Sequence, residues 1–267
     1  MVKGEGVFLS GLCLTKPGPA DTINEKKEIR FAERKERIMA EIYEVKIIAK
    51  IHSDFPSKFG IPRQSGIVDS LESLIVFEPE YRNEQALRGI EDFSHLWLIR
   101  QISKAVRDDW SPMVRPPKLG GNTRKGVFAT RSPFRPNAIG LSSVRLVGVE
   151  KHPKLGHVLR VAGADLMDGT PILDIKPYLP FTDSHPEATG GFTDTLHLQP
   201  LQVCIPEIWE EKIPEDKKTA LREVLENDPR PSYQDDPDRV YGFFFSDMEV
   251  KFTLLENTLT VCGISKK

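Results

Sequence analysis

Along the middle of this 267-residue chain, apolar and polar positions alternate with a period of two, the spacing expected of half-buried strands. Runs rich in β-branched and aromatic residues begin at IYEVKIIAKI and continue through SLIVF, GVFAT, LSSVRLVGV, HVLRVAGADL and PILDIKPYL. Short connections carrying Gly, Pro or Asp separate them, and no long helix alternates with them. The economical architecture is therefore mainly β, an antiparallel sheet closed into a barrel, not a doubly wound parallel sheet. One helix is predicted to interrupt it, over roughly residues 84 to 105.

The two ends have a different texture. Residues 1–40 form an extension whose stretch EKKEIRFAERKERIMAEI is charged and helical in propensity but has a ragged apolar stripe. A barrel domain then spans 41–185, and the segment DSHPEATGGFTD marks a boundary because Pro, Gly and small polar residues disfavour regular structure. Beyond it a small α+β domain spans 186–267. There TLHLQPLQVCI reads as a strand, and Ala220, Leu221, Val224 and Leu225 share one helical face behind an acidic first turn. Met248, Val250, Phe252 and Leu254 alternate with polar residues, and Glu256-Asn257 takes the turn of a hairpin.

Composition narrows the class. The 28% of charged and 39% of apolar residues are ordinary for a soluble globular protein, and no run approaches the ~18 apolar residues of a membrane span. Three scattered cysteines, Cys13, Cys204 and Cys262, with no paired histidine spacing, indicate neither a disulfide framework nor a metal site. A cytoplasmic protein without metal is the expectation. The net charge of −2 hides an asymmetry: residues 100–160 hold thirteen Lys and Arg against three Asp and Glu, a surplus of ten, which leaves −12 for the remainder. A basic face on an acidic body suits a polyanion, because bound cations release its condensed counterions. A merely solvated basic surface produces the same count.

Three stretches are denser in reactive and donor groups than a core requires. KFGIPRQSGI offers Arg63 and Gln64 as planar donors in a loop bracketed by glycines; a surface turn stiffened by Pro62 is the plainer reading. RPPKLGGNTRKGVFATRSPFRPNAIGLS places Arg131 and Arg135 four apart among Pro133, Phe134 and Pro136. Proline forbids a helix there, and paired guanidinium groups beside an exposed aromatic suit phosphate contact and base stacking; an arginine that caps its own loop is the alternative. AGADLMDGTPILDIKPYLPF carries Asp165, Asp168, Asp174 and Lys176, although Asp168-Gly169 is equally a turn signal.

These residues also carry a resemblance. The strings FGIPRQSG, GIEDFSHLWLI, RPPKLGGNTRKGVFATRSPFRPNAIGLS, ADLMDGTPILDIKPYLPF and NDPRPSY resemble, in order, the successive motifs of the TsaA-like, or TrmO, family. The likeness runs from about Ile42 to the C-terminal hairpin, with one departure: Ala138 stands where the family pattern has a second proline. It implies an S-adenosylmethionine-dependent methyltransferase on a non-Rossmann barrel, acting on N6 of threonylcarbamoylated adenosine at position 37 of tRNA. No G-x-G-x-x-G follows a strand here, in keeping with that implication.

Matched position by position, the resemblance implies that the cofactor meets Pro62, Arg63, Gln64, Ser65, Gly66, Ile67, Ser103, Lys104, Arg131, Leu141, Ala162, Gly163, Ala164 and Asp165. The anticodon loop of tRNA would meet Arg135, Lys176, Asp228, Arg230 and Tyr233. A homodimer is expected on family grounds alone. Removal of the N6 proton calls for a base, for which Asp168 and His95 are the candidates; His95, in FSHLW, equally suits a hydrogen-bonded core position. A competing reading is a barrel that binds S-adenosylmethionine or RNA without turnover. Methyl transfer to another nucleotide or to a small molecule is a third.

Overall fold

The computed structural model describes residues 42–102, 110–116, 123–194, 199–230, 236 and 238–266. The chain divides into two compact units, Met1–Val45 and Lys46–Lys267. Of the first, only 42–45 are described, exposed and without regular structure; the helix expected near residues 25–42 lies outside the described residues except at its last position.

In the second unit the strands are β1 Ala49–His52, β2 Glu72–Phe77, β3 His95–Gln101, β4 Met113–Val114, β5 Lys125–Gly126, β6 Ile139–His152, β7 Gly156–Ala162, β8 Thr170–Pro177, β9 Gln202–Cys204, β10 Tyr241–Phe245, β11 Met248–Leu255 and β12 Thr258–Lys266. Six of them pair antiparallel in the order β1-β2-β7-β6-β3-β8, and β8 pairs back onto β1 to close the barrel. Closure removes the exposed edges that an open sheet would present. The alternation seen in the sequence produces the interior: Ala49 and Ile51 are buried while Lys50 and His52 face out. Leu96, Leu98, Leu159 and Ile172 join them in one cluster.

Two expectations are corrected. Over the described residues 84–102 no α-helix forms, and 103–105 lie outside the described residues; short 3₁₀ turns at Glu84–Leu87 and Ile90–Asp92 are followed by β3. The run HLWLIRQ buries Leu96 and Leu98 on alternate positions, so its period of two prevails over the helix-forming residues before it. GVFAT contributes only the end of β5; Val127–Ala129 is a 3₁₀ turn whose single buried residue is Val127.

The C-terminal sheet runs β10-β11-β12-β9, with β9 parallel to β12. Helix Glu215–Glu226 buries Ala220, Leu221, Val224 and Leu225 against it, as its spacing requires. Met248, Val250, Phe252 and Leu254 are the buried face of β11, which turns at Glu256 and Asn257 into β12. Phe55, Val68 and Leu71, from the β1–β2 loop, enter this second core. Burying each such side chain contributes roughly 1.5–3 kcal/mol. The loop carrying residues 62–67 is thereby anchored at both of its ends.

Because neighbouring strands in the ring are antiparallel, the loops 53–71, 102–138 and 163–169 all emerge from the same end of it. Loops 78–94 and 153–155 and the chain following β8 leave from the other end.

Candidate functional site

Three of the stretches singled out in the sequence meet at the first end of the ring. The Gly66 N–H donates to Gly163 O at 2.8 Å, and the Gly163 N–H donates to Leu71 O at 2.9 Å. Gly163 has φ +76°, and a Cβ there would stand 3.3 Å from Gly66 Cα; any side chain would wedge the two loops apart. Ser65 Oγ accepts from the Ser143 N–H at 3.1 Å, which fixes the same loop to β6. The Gln64 side-chain amide donates to Arg63 O at 2.6 Å, and its carbonyl accepts from Arg131 Nη1. Residues 63–67, 131 and 162–165 thus line one cradle. Pro62, Ala162, Gly163 and Ala164 are buried, so they shape the cradle from beneath. Ile67 and Leu141 are exposed.

Beneath the cradle lies a charge cluster that the sequence reading missed. Arg100, in phase with Leu96 and Leu98 on β3, donates through Nε to Ser142 Oγ at 3.2 Å, and Ser142 Oγ donates to Asp165 Oδ1 at 2.6 Å. Arg100 Nη2 stands 3.7 Å from Asp165 Oδ2, and the two side chains are only 18% and 9% exposed. Burial lowers the Arg100 pKa, and Asp165 opposes that shift. A Cβ on Gly140 would come within 2.8 Å of the Arg100 guanidinium carbon, which explains a glycine on β6 opposite Arg100. The sequence signal was available: a cation on the inward phase of an apolar strand requires a partner.

Next to the cradle, the C-terminal part of the unit supplies a second cluster. Arg63 Nη2 donates to Arg230 O at 3.4 Å. Arg230 holds Asp228 with two hydrogen bonds, Nε to Oδ1 at 2.9 Å and Nη2 to Oδ2 at 3.0 Å. Arg230 and Arg239 both lie against the Tyr241 ring, 5.7 and 5.6 Å from its centroid. Burial lowers the Arg63 pKa, Asp228 opposes that, and Arg230 adds to it by repulsion. Arg63 and Arg230 beside the Asp228 carboxylate, with Arg239 across the Tyr241 ring, make a locally cationic surface suited to phosphate.

Other expected residues fall elsewhere. His95 starts β3, five residues and so about 17 Å from Arg100 along the strand; it hydrogen-bonds Ser94 Oγ at 2.9 Å and packs edge-on against Tyr178. Lys176 pairs with Asp174 at 3.0 Å, in register with Trp97. Asp168 lies at the same end of the ring as the cradle but turns toward β1, accepting from the Ser53 N–H at 3.2 Å with His52 Nδ1 at 3.1 Å. Arg135 Nη1 donates to Thr130 O and Ser132 O, 3.1 and 3.3 Å away, which is the loop-capping alternative. Phe134 is half-buried; the exposed aromatic of that stretch is Phe128. Ser103, Lys104 and Tyr233 lie outside the described residues.

A groove of about 510 Å³ is lined by His52, Asp54, Glu72, Arg160 and Lys217 among others, and by none of the cradle residues. Its charges already satisfy one another: Lys217 pairs with Asp54 at 2.7 Å, and Arg160 pairs with Glu72 at 3.1 Å and with Glu150. The cradle, where the exposed Arg131, Gln64, Ile67 and Leu141 come together, is the stronger candidate. Among the described residues no group of His, Cys, Asp and Glu is arranged to hold a metal ion, and no helix is long and apolar enough to cross a membrane.

Comparison with known proteins bears on this geometry. The family model for the tRNA-methyltransferase O N-terminal domain matches residues 50–184, and that for the TrmO C-terminal domain matches 199–267. The chain is 38% identical over 228 residues to the tRNA (adenine(37)-N6)-methyltransferase of Escherichia coli K12, covering 82% of this chain and 97% of that one. It is 37% identical over 220 residues to a putative S-adenosylmethionine-dependent methyltransferase of Pseudomonas aeruginosa, covering 78% and 91%. A crystal structure of TrmO from Pseudomonas aeruginosa superposes with a TM-score of 0.67 at 30% identity, covering 84% of this chain and 100% of that one.

Proposed function

The chain belongs to the tRNA-methyltransferase O family, and from that premise we propose that it transfers a methyl group from S-adenosylmethionine to N6 of adenine 37 in tRNA, with the threonylcarbamoylated base as substrate. The observation that carries this reading is the convergence of residues 63–67, 131 and 163–165 on one cradle, with the Arg63–Arg230 cluster beside it. In this reading the non-Rossmann barrel of residues 41–185 holds the donor, and the domain of 186–267 adds contacts to the RNA.

The residues present suit S-adenosylmethionine. The Arg131 guanidinium and the Gln64 amide match a carboxylate, the exposed Ile67 and Leu141 match the face of an adenine, and the segment 162–165, its Gly163 hydrogen-bonded to Gly66 and Leu71, holds the loop of 63–67 in place beneath them. When bound, the cofactor supplies a methyl group made electrophilic by its sulfonium. The protein's own work is positioning: the nucleophilic nitrogen must be held about 3–3.5 Å from that methyl and in line with the bond that breaks. Rigid loops tied by the Gly66–Gly163 and Ser65–Ser143 hydrogen bonds provide such a frame.

An anticodon-loop purine is unpaired and can be presented to this cradle without opening a duplex. Arg230, held by Asp228, is assigned to the RNA backbone, with Tyr233, Lys176 and Arg135 as further contacts; Arg135 would make its contact through Nη2, because Nη1 caps its own loop. Of the two candidate bases, Asp168 is favoured by lying at the cradle's end of the ring. The cytoplasmic location and the homodimer implied by the family likeness belong to the same proposal. The test is transfer of labelled methyl to tRNA bearing threonylcarbamoyl, with unmodified tRNA as control. Incorporation only into the former is expected; binding of both without incorporation would reduce the protein to a non-catalytic module, and label in another nucleotide would reassign its substrate.

A further inference from the structure

Trp110 and Phe128 stack on one another with ring centroids 6.1 Å apart and planes at 25°, yet they remain 48% and 73% exposed. Single exposed aromatics are common, but two large rings paired in the open leave an apolar face uncovered. Their placement is built into the fold. Val127, buried beside Phe128, donates its N–H to Pro112 O at 3.0 Å, and both the N–H and Oγ1 of Thr130 donate to Val127 O. The Ser111 N–H donates to Phe134 O at 3.3 Å. The backbone on either side of the two rings is therefore tied together, and the rings are held outward.

Charge decides what covers them. From residue 110 to residue 149 the chain has seven Lys and Arg and no Asp or Glu. A symmetric contact with a second copy would bring this cationic stretch against itself. RNA offers what the patch lacks: an aromatic base for the rings, and phosphates for Arg115, Arg124 and Lys125, which lie on or beside the short strands β4 and β5 that the same segment forms. Three steps along the backbone, at most about 11 Å of chain, separate Phe128 from Arg131, which reaches Gln64 in the cradle.

We propose that the Trp110–Phe128 pair is a stacking platform for an unpaired RNA base next to the reacting adenine. This rests on the tRNA reading above and adds to it the residues that grip the neighbouring nucleotide. In methyl-transfer assays with tRNA varied, Trp110→Ala and Phe128→Ala raise KM for tRNA about 5- to 150-fold, the range that removing one stacked base contact produces. The rate at saturating tRNA and the affinity for S-adenosylmethionine are retained, and Trp110→Phe restores most of the loss. A second readout is independent of turnover: an anticodon stem–loop RNA quenches tryptophan emission in the wild type, and the quench disappears in Trp110→Phe.

Unchanged KM in both alanine variants, or a quench that survives in Trp110→Phe, overturns the platform. So does a loss of self-association in Phe128→Ala with KM unchanged, which would assign the patch to a second copy. If the wild type transfers no methyl group but its quench still depends on Trp110, the platform stands and the methyltransferase reading falls.

Discussion

Replacing Gly163 by alanine tests whether the cradle is one structure, and Gly169→Ala is its internal control. Both glycines have positive φ, +76° and +74°, so each alanine incurs the left-handed strain of about 1–2 kcal/mol. Their surroundings differ: nothing lies within 4 Å of a Cβ on Gly169, whereas one on Gly163 meets Gly66 Cα at 3.3 Å and Gly66 N at 3.4 Å. Relief requires moving backbone, at the expense of the Gly66–Gly163 hydrogen bond, a further ~0.5–1.5 kcal/mol. Gly163→Ala should therefore cost about 2–3 kcal/mol in total. At about 2–4 °C per kcal/mol for a unit of this size, Tm falls by roughly 8 °C for Gly163→Ala and roughly 4 °C for Gly169→Ala. Calorimetry repeated with S-adenosylmethionine then separates binding from stability, because a ligand of the native state raises Tm by mass action. The rise should persist in Gly169→Ala and vanish in Gly163→Ala. Equal losses of stability would refute the close-approach argument, and a full ligand-induced rise in Gly163→Ala would remove the cradle from the cofactor site.

Arg131→Ala should weaken S-adenosylmethionine binding about tenfold, the effect of losing one charge-assisted contact of about 1.4 kcal/mol, while Arg230→Ala should raise KM for tRNA with cofactor affinity kept; titration calorimetry and steady-state kinetics check the pair, and normal values in both would cancel these roles. Lys217→Met strands Asp54, whose side chain is only 11% exposed, and should cost about 2–3 kcal/mol in denaturant unfolding; a loss below about 0.5 kcal/mol would mean that water replaces the lysine. The Asp183 pKa is lowered below its ordinary 3.8, first by the hydrogen bond from the Leu179 N–H and then by that from the Trp97 indole. The tie is therefore present above about pH 4 and is lost as pH falls through the depressed value, so a change in tryptophan emission confined to that acid range should be absent in Asp183→Asn.

What could be read from the sequence was whatever rests on local periodicity. The buried faces of Glu215–Glu226 and of β11 follow directly from spacing, because each is decided within one element. β3 was misjudged because the charged and helix-favouring residues before His95 outweighed a two-residue alternation only seven residues long. The cradle's segments were visible as motifs, but their meeting was implied only by the family resemblance and not by any local pattern: Gly66 reaches Gly163 because loops 53–71 and 163–169 leave the same end of a closed ring. Arg100 and Ser142 were passed over for the same reason, since their partner Asp165 is distant in sequence. Arg135 shows the converse: a motif arginine whose Nη1 caps carbonyls within its own loop.

The most direct measurement is mass analysis of nucleosides released from threonylcarbamoylated tRNA after incubation with this protein and isotopically labelled S-adenosylmethionine. One labelled methyl on the modified adenosine of position 37, formed by the wild type and strongly reduced in Gly163→Ala, is the predicted result. Unlabelled adenosine at that position with wild-type protein that is folded and binds S-adenosylmethionine, or equal labelling by both proteins, would contradict the account.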